Sequence, residues 1–368
     1  MKRLSTILAL CSLMWGLVTV SPAQTRITVQ TDRPGAAIRP TMWGIFFEDI
    51  NFGADGGLYA ELVKNRSFEF PDGIMGWSRI LREGSEGYIY IERYPQEQVN
   101  AHFLRMRVGK TGQGFGLSNE GFRGMGIREG KDYRFSVLAR LTDGASMTLR
   151  VELVGGGNRK LAEAKLEGFG SQWDEYTVVL HAQATEPKAH LNLFVEGSGM
   201  LDLDVVSLFP VDTWKGRANG LRADLVQMLA DLKPGFLRFP GGCIVEGRSL
   251  DVRYQWKTTI GDPAERKLIV NRWNTEFNHR LTPDYYQSFG LGFYEYFLLS
   301  EDIGAAPMPI LNCGMACQFN TGELAPMDEL GPYVQDALDL IEFANGPADR
   351  GWGRKRAEMG HPEPFGLK

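Results

Sequence analysis

Three apolar runs of the sequence each deliver a polar side chain near their carboxyl end. Glu48 directly follows the run 42–47, Arg238 lies within the run in "FLRFPGG", and Asn312 lies near the end of "PILNCG". If these runs are parallel strands of a barrel, their carboxyl ends lie together on the face where such enzymes bind substrate. Carboxylates and amides hydrogen-bond to hydroxyl groups, and a planar guanidinium group orients a carboxylate. The pattern therefore indicates a site for a hydroxyl-rich ligand such as a sugar.

Each of these residues also has an ordinary structural interpretation. Glu48 would serve equally as a helix cap or a loop carboxylate, and Arg238 as half of a structural ion pair. The Pro-Gly-Gly turn after Arg238 favours a ligand site, because glycine lets the backbone come close to a bound molecule. Trp256 and Trp273 lie in the long loop after the second run, which would overhang the same face.

The sequence indicates neither a metal site nor a cofactor. No GxSxG, HExxH, GxGxxG or phosphate-loop pattern occurs, and the five histidines are scattered. Outside the leader the cysteines are Cys243, Cys313 and Cys317, an odd number, so that one disulfide at most can form. The CxxxC spacing of Cys313 and Cys317 lacks the histidines of a typical zinc site, and we expect buried or loop cysteines.

Composition and the leader constrain the partners and the compartment. The chain of 368 residues has a net charge of −5 and no basic stripe, which argues against nucleic acid as a partner. Residues 1–23 combine Lys2 and Arg3, an apolar core and a small-residue cleavage site, as a signal peptide does. An uncleaved anchor is the weaker alternative, because the apolar run is short. We expect an exported protein, periplasmic or extracellular, that leaves the membrane after cleavage.

The remaining sequence divides into an all-β part and an α/β part. Residues 71–212 show apolar residues at every second position between Gly, Asn and Asp turns, which predicts an antiparallel β-sandwich. Residues 24–70 and 213–368 alternate strand-like and helix-like runs, which predicts βα units. One of the predicted helices is the run 58–68.

The βα units are too few for a closed barrel. Three strands are predicted, and a fourth is predicted to begin at Phe365. A (β/α)₈ TIM barrel needs eight such units and about 250 residues. The sequence therefore predicts the first three to four units of an incomplete barrel with an inserted β-sandwich, and a chain that is a fragment.

Several long blocks resemble one enzyme family. "GIFFEDINFGADGGLYAELVKNRSFEF", "FLRFPGGCIVEG" and "GFYEYFLLSEDIGAAPMPILNCGMACQ" resemble, in this order, the extracellular α-L-arabinofuranosidases of glycoside hydrolase family 51. "NEGFRGMGIREGKDYRFSVLAR" resembles the carbohydrate-binding module of the family 4/9 type inserted in those enzymes. The resemblance implies removal of terminal arabinofuranosyl residues from arabinan or arabinoxylan with retention of configuration, and hence an arabinose-containing plant polysaccharide or oligosaccharide as partner. Retention requires two carboxyl groups about 5 Å apart.

The resemblance also implies roles for single residues. Glu48 matches the glutamate that binds arabinose in the −1 subsite, and Arg238 the arginine that supports the nucleophile. Trp273 matches a tryptophan at the rim of the leaving-group side, and Cys243 falls where some members carry an asparagine that contacts sugar. The catalytic acid/base and nucleophile are expected beyond Lys368. Accordingly, the 368-residue chain itself is predicted to be inactive.

Two other functions fit parts of the sequence. A non-catalytic carbohydrate-binding protein would use the sandwich alone, but a half-barrel leaves unpaired strand edges that promote aggregation. An endoglucanase would share the barrel, but the block around Glu48 argues against it. The sequence gives no indication of oligomeric state.

Overall fold

The structure is a computed structural model that describes residues 26–144, 146–276 and 285–368. Residues 26–39 contain no helix or strand and are exposed. The predicted signal peptide, 1–23, lies outside the described residues. All elements given below belong to residues 40–368.

The described residues contain short parallel strands, long antiparallel strands and a small number of helices. The strands in chain order are β1 (Ile45–Phe46), β2 (Trp77–Leu81), β3 (Ser85–Arg93), β4 (His102–Thr111), β5 (Phe115–Asn119), β6 (Met125–Ile127), β7 (Asp132–Asp143), β8 (Thr148–Gly155), β9 (Arg159–Leu166), β10 (Asp174–His181), β11 (Glu186–Glu196), β12 (Gly199–Pro210), β13 (Phe236–Phe239), β14 (Ile269–Val270), β15 (Tyr286–Gln287) and β16 (Ala306–Pro309). The α-helices are α1 (Ala223–Asp231), α2 (Cys243–Glu246), α3 (Phe293–Asp302), α4 (Gly331–Asn345) and α5 (Gly351–Glu358).

A parallel sheet in the order β1-β13-β16 carries the predicted site residues. Leu237 and Phe239 of β13 are fully buried, and Phe239 stacks on Tyr296 of α3 at 4.8 Å between ring centroids. On the opposite face, Phe46, Arg238 and Met308 lie in register across the three strands. One face of the sheet therefore packs on a helix, as in a βα unit, and the other face carries the Arg238 guanidinium group.

The helices predicted within residues 213–368 are present. The structure contains α1, α3 and α4 where apolar residues recur at helical spacing before a glycine. The run that begins at Phe365 is not a strand. Its backbone is paired instead with the end of α4, because Phe365 N–H donates to the Ala344 carbonyl at 2.8 Å and Leu367 N–H to the Asn345 side chain at 2.9 Å.

Residues 77–210 form two antiparallel sheets that share one core. The first has the strand order β10-β7-β12-β4-β3, and the second β2-β5-β11-β8-β9 with β6 beside β11. Alternate residues of both sheets, such as Phe135 and Leu208 in the first and Leu149 and Leu193 in the second, are fully buried in this core. Both sheets thus bury alternate side chains in one core, and the predicted inserted β-sandwich stays a prediction.

The outer face of the first sheet holds an ion-pair network. Asp202 of β12 is fully buried and accepts hydrogen bonds from Arg105 Nε at 2.6 Å and Arg140 Nε at 2.9 Å. Arg105 and Arg140 lie on the two strands that flank β12, directly opposite Asp202. The guanidinium of Arg140 also lies over the ring of Trp173 at 4.7 Å.

The predicted helix over 58–68 is wrong. The stretch is irregular because its backbone bonds to distant partners: Leu62 N–H donates to the Leu208 carbonyl at 3.0 Å, and Lys64 N–H to Asn119 Oδ1 at 3.2 Å. Val63 and Phe68 are buried in the core that the two antiparallel sheets share. Tertiary contacts thus override the helical spacing of the apolar residues.

Among the described residues, none of the helices combines the length and the apolar character that crossing a membrane requires.

Candidate functional site

Glu48 is held by the turn that follows β13. Its Oε1 accepts hydrogen bonds from the backbone N–H groups of Gly242 at 3.2 Å and Ile244 at 3.1 Å. These N–H groups are at the start of α2, where helix amides are unpaired and attract negative charge. Oε2 accepts no hydrogen bond from any described residue, so this oxygen is available to a ligand hydroxyl group.

Gly241 lets the turn come this close to Glu48. Its φ is +152°, and a Cβ atom there would lie 2.6 Å from Cγ of Glu48 and 2.5 Å from Cγ2 of Ile244. Gly242 has open space around the equivalent position. The first glycine of "PGGC" is therefore required by close approach, and the second is not.

Arg238 points away from the buried face of β13, as its register requires. Its guanidinium lies over the ring of Phe46 at 4.5 Å and makes no ion pair with a described residue. Glu48 lies two residues after β1, and Arg238 lies in the neighbouring parallel strand β13. A stacked, unpaired guanidinium group can orient an acidic group of a partner or ligand.

The nitrogen and the oxygen of the Asn312 side-chain amide both form hydrogen bonds with the protein backbone. Its Nδ2 donates to the Val245 carbonyl at 3.0 Å and the Met315 carbonyl at 2.9 Å, and its Oδ1 accepts from Gly314 N–H at 2.7 Å. Both amide hydrogens are thereby used. Asn312 joins the loop after β16 to α2, and its predicted role as a sugar ligand stays a prediction.

Trp273 is half-buried in the loop after β14. The Arg272 guanidinium lies over its ring at 4.3 Å, and its indole nitrogen is buried without a hydrogen-bond acceptor among the described residues. Asn271 connects this loop to the Glu48 region, because its side chain donates to the Asp49 carbonyl at 2.8 Å and accepts from Trp273 N–H at 2.8 Å.

Two buried aspartates, Asp49 and Asp55, lie in the segment that follows Glu48. Asp49 accepts hydrogen bonds from Ala54 N–H at 2.9 Å and from the hydroxyl of Tyr285 at 2.6 Å. Burial raises the pKa of Asp49 to about 7, with a further contribution from the nearby Asp55. Burial also raises the pKa of Asp55, which bonds to Ser288. These groups fix the loop that follows Glu48.

Cys243, Cys313 and Cys317 are free thiols in the structure. Cys243, at the first position of α2, lies close to Cys317 and Glu246, while Cys313 is exposed. Burial raises the pKa of Cys243, and the neighbouring Glu246, Cys317 and Glu48 raise it further.

The structure therefore brings together the strand ends that carry Glu48, Arg238 and Asn312, and ties the Trp273 loop to them. Sequence reasoning missed Asn271 and Tyr285, which connect to Asp49 across more than two hundred residues. The only local signal for Asn271 is a polar residue just before Arg272 and Trp273.

The chain is similar to known α-L-arabinofuranosidases. The family model described as "Alpha-L-arabinofuranosidase 1 domain" matches residues 228–368. The extracellular exo-α-L-arabinofuranosidase of Streptomyces chartreusis is 40% identical over 93% of this chain and 41% of its own length. The α-L-arabinofuranosidase 1 of Arabidopsis thaliana is 41% identical over 93% of this chain and 50% of its own length.

A solved structure is similar along the same length. The arabinose-bound MgGH51 α-L-arabinofuranosidase superposes with a TM-score of 0.80 and 31% identity, covering 91% of this chain and 54% of that one. This similarity, together with the parallel sheet β1-β13-β16, identifies a partial TIM-barrel-like fold. The chain spans about half the length of the relatives that it matches.

Proposed function

We propose that the chain belongs to the α-L-arabinofuranosidases of glycoside hydrolase family 51 and that it forms the sugar-binding part of a retaining arabinofuranosidase site. The substrate class is a terminal α-L-arabinofuranosyl residue of arabinan, arabinoxylan or a related oligosaccharide. The non-catalytic alternative is not favoured, because the matched relatives named above are all called arabinofuranosidases.

The observation that carries the proposal is the geometry of Glu48. One carboxylate oxygen is fixed by two backbone amides, and the other is available at the carboxyl end of a parallel sheet. A carboxylate fixed in this way can accept hydrogen bonds from a sugar hydroxyl group without losing side-chain entropy on binding. Its position matches that of the family glutamate expected in the −1 subsite.

The other predicted residues receive supporting roles. Arg238 would orient the carboxylate of the nucleophile, because its guanidinium group is stacked on Phe46 and makes no ion pair with a described residue. Trp273 would border the leaving-group side, with Arg272 against its ring. Asn312 would position α2 and the loop after β16, because its amide hydrogens bond to carbonyl oxygens, and its contact with the sugar stays a prediction.

The catalytic step requires two carboxyl groups that the family resemblance does not assign to any position in 1–368. We therefore expect this chain to bind an arabinofuranoside without hydrolysing it. Export through the leader, and a carbohydrate-binding role for the two antiparallel sheets, are parts of the same proposal. The name of the Streptomyces relative, which calls it extracellular, supports the first.

Titration of the 368-residue chain with L-arabinose, followed by calorimetry, tests the proposal. We expect saturable binding that Glu48→Gln weakens about 10- to 100-fold, because hydrogen bonds to a charged group contribute about 1.5–3 kcal/mol. Glu329→Gln, at an exposed glutamate outside the site, is the matched control and should bind as wild type. Equal affinity in the two variants would contradict the assignment of Glu48, and turnover of an aryl arabinofuranoside by the purified chain would contradict the expected lack of hydrolysis.

A further inference from the structure

Two thiols and a carboxylate meet beside α2. The Sγ atoms of Cys243 and Cys317 and a carboxylate oxygen of Glu246 all lie within 4.8 Å of one another. Cys243 and Glu246 are the first and last residues of α2, three positions apart, so their side chains are on the same side of this helical turn. Cys317 arrives from the loop after β16.

Backbone contacts fix the approach of Cys317. Its N–H donates to the Gly247 carbonyl at 3.1 Å, immediately after α2. Asn312 bonds the same loop to the Val245 carbonyl at 3.0 Å. These hydrogen bonds hold α2 and the loop after β16 together without using the two thiols or the carboxylate. A ligand set is preformed when its supporting segments are fixed in this way.

Two further observations indicate that a cation binds between these groups. Glu246 Oε2 is buried and has no hydrogen-bond donor among the described residues, which is costly for a carboxylate oxygen. The buried Arg272 donates to Cys317 Sγ from Nη2 at 3.0 Å and from Nε at 3.3 Å. Cysteine binds metal as a thiolate, and the guanidinium group lies where its positive charge offsets part of the negative charge of such a ligand set.

We propose that Cys243, Glu246 and Cys317 bind a thiophilic divalent cation, zinc in the first instance. Zinc–sulfur and zinc–oxygen distances near 2.3 Å and 2.1 Å place tetrahedral ligands about 3.5–3.8 Å apart, within reach of small rotations of these side chains. The three negative charges of the ligands are then balanced by zinc and by the Arg272 guanidinium group. Three protein ligands leave the fourth position to water.

Such an ion would have a structural effect at the sugar site. It would connect α2, whose first amides hold Glu48, to the loop after β16. The sequence spacing of Cys313 and Cys317 does not reveal this site, because the thiol next to Cys317 is that of Cys243, which follows a different strand, β13.

The test uses the 368-residue chain, purified with a reductant and a chelator and then given zinc chloride alone. We expect one zinc per chain by elemental analysis. Zinc should also protect Cys243, but not the exposed Cys313, from alkylation of the native protein, read by peptide mass spectrometry, whereas the fully buried Cys317 is tested by its variant. Cobalt in place of zinc should give a thiolate-to-metal absorption band in the near ultraviolet.

Variants assign the ligands. Cys243→Ser and Cys317→Ser should each lower zinc affinity more than about 100-fold, and Glu246→Gln about 10- to 100-fold. Cys313→Ser is the matched control, since this exposed thiol is in the same loop, and it should leave zinc affinity unchanged. The protection experiment needs no variant, so a variant that fails to fold does not remove the test.

Three results would overturn the proposal. The first is no zinc retained by the reduced chain, and the second is equal alkylation of Cys243 with and without zinc. The third is a Cys243–Cys317 disulfide in the air-exposed protein together with no zinc binding after its reduction. That last result would show that the two thiols are placed for oxidation instead.

Discussion

The hydroxyl group of Tyr285 donates a 2.6 Å hydrogen bond to the carboxyl group of Asp49, and both side chains are buried. This bond joins the residue after Glu48 to a segment 236 positions later. Burial nevertheless makes the charged form of Asp49 unfavourable, and its pKa in the folded chain is about 7 instead of 3.8. The bond thus holds a carboxyl group that changes charge near neutral pH.

The first prediction concerns Asp49→Asn and pH. Because the folded chain binds the Asp49 proton more tightly than the unfolded chain, wild-type stability falls as pH rises from the unfolded pKa through the folded one. Asparagine cannot titrate, and its Oδ1 keeps the acceptor role. The free energy of unfolding of the variant relative to wild type should therefore rise by about 3 kcal/mol between about pH 4.5 and about pH 8. Urea titrations of both chains at the two pH values measure this. A difference that does not change with pH would contradict the raised pKa.

The second prediction concerns Gly241→Ala. A methyl group there would overlap Glu48 and Ile244, so the turn or Glu48 must shift, at a cost of about 1–3 kcal/mol in the free energy of unfolding. Arabinose affinity should fall with it. Gly242→Ala adds the same methyl group in open space, keeps the N–H donor and should change neither quantity. Equal effects of the two alanines in urea unfolding and calorimetry would mean that close approach to Glu48 is not the reason for the glycine.

The third prediction concerns the Arg105–Asp202–Arg140 network. Asp202→Ala leaves two guanidinium groups without their shared partner and should lower the free energy of unfolding by about 2–4 kcal/mol. This expected loss of stability is smaller than for a fully buried network, because the side chains of Arg105 and Arg140 are 20% and 24% exposed. Glu86→Ala removes the exposed Lys110–Glu86 pair and should cost less than about 1 kcal/mol. Thermal and urea unfolding compare the two, and similar costs would show that the network contributes no more than a surface pair.

The fourth prediction concerns Asn312→Ala. The N–H groups of Gly314 and Met315 donate hydrogen bonds to Asn312 Oδ1 at 2.7 and 3.2 Å. Loss of this oxygen should therefore speed hydrogen exchange at both amides. Stability should fall by about 1–3 kcal/mol, because buried carbonyl groups lose their donors. Asn320→Ala, in the same loop, is the control, since the side-chain oxygen of Asn320 has no hydrogen-bond donor among the described residues. Unchanged exchange at both amides would rule out the positioning role.

The fifth prediction concerns the boundary of the antiparallel part. Val63 and Phe68 are in its core, and the Trp77 indole donates to the Asn65 carbonyl at 3.1 Å. A fragment 61–212 should therefore unfold cooperatively and be about 3–6 kcal/mol more stable than 71–212, because two buried side chains are added. Circular dichroism during urea unfolding measures both fragments. Equal midpoints would support the boundary at 71 that the sequence alone predicts.

The elements with regular apolar spacing could be predicted from the sequence, and those defined by distant partners could not. Helices α1, α3 and α4 and the long strands β7, β11 and β12 follow the period of their apolar residues. The short strand β6 and the irregular stretch 58–68 depend on hydrogen bonds to residues far along the chain. Strand-end chemistry predicted where Glu48 and Arg238 lie, since the ends of parallel strands must meet. The proximity of Cys243 and Cys317 depends on a loop path that no local pattern encodes.

Glu48 is oriented by main-chain amides, and this has a consequence for how the site can change. A replacement other than proline at position 242, 243 or 244 that keeps the backbone conformation also keeps both N–H donors, so the orientation of the carboxylate does not depend on which side chains follow Gly241. The side chains of this turn can therefore be exchanged without moving the carboxylate oxygen that Glu48 presents to a ligand.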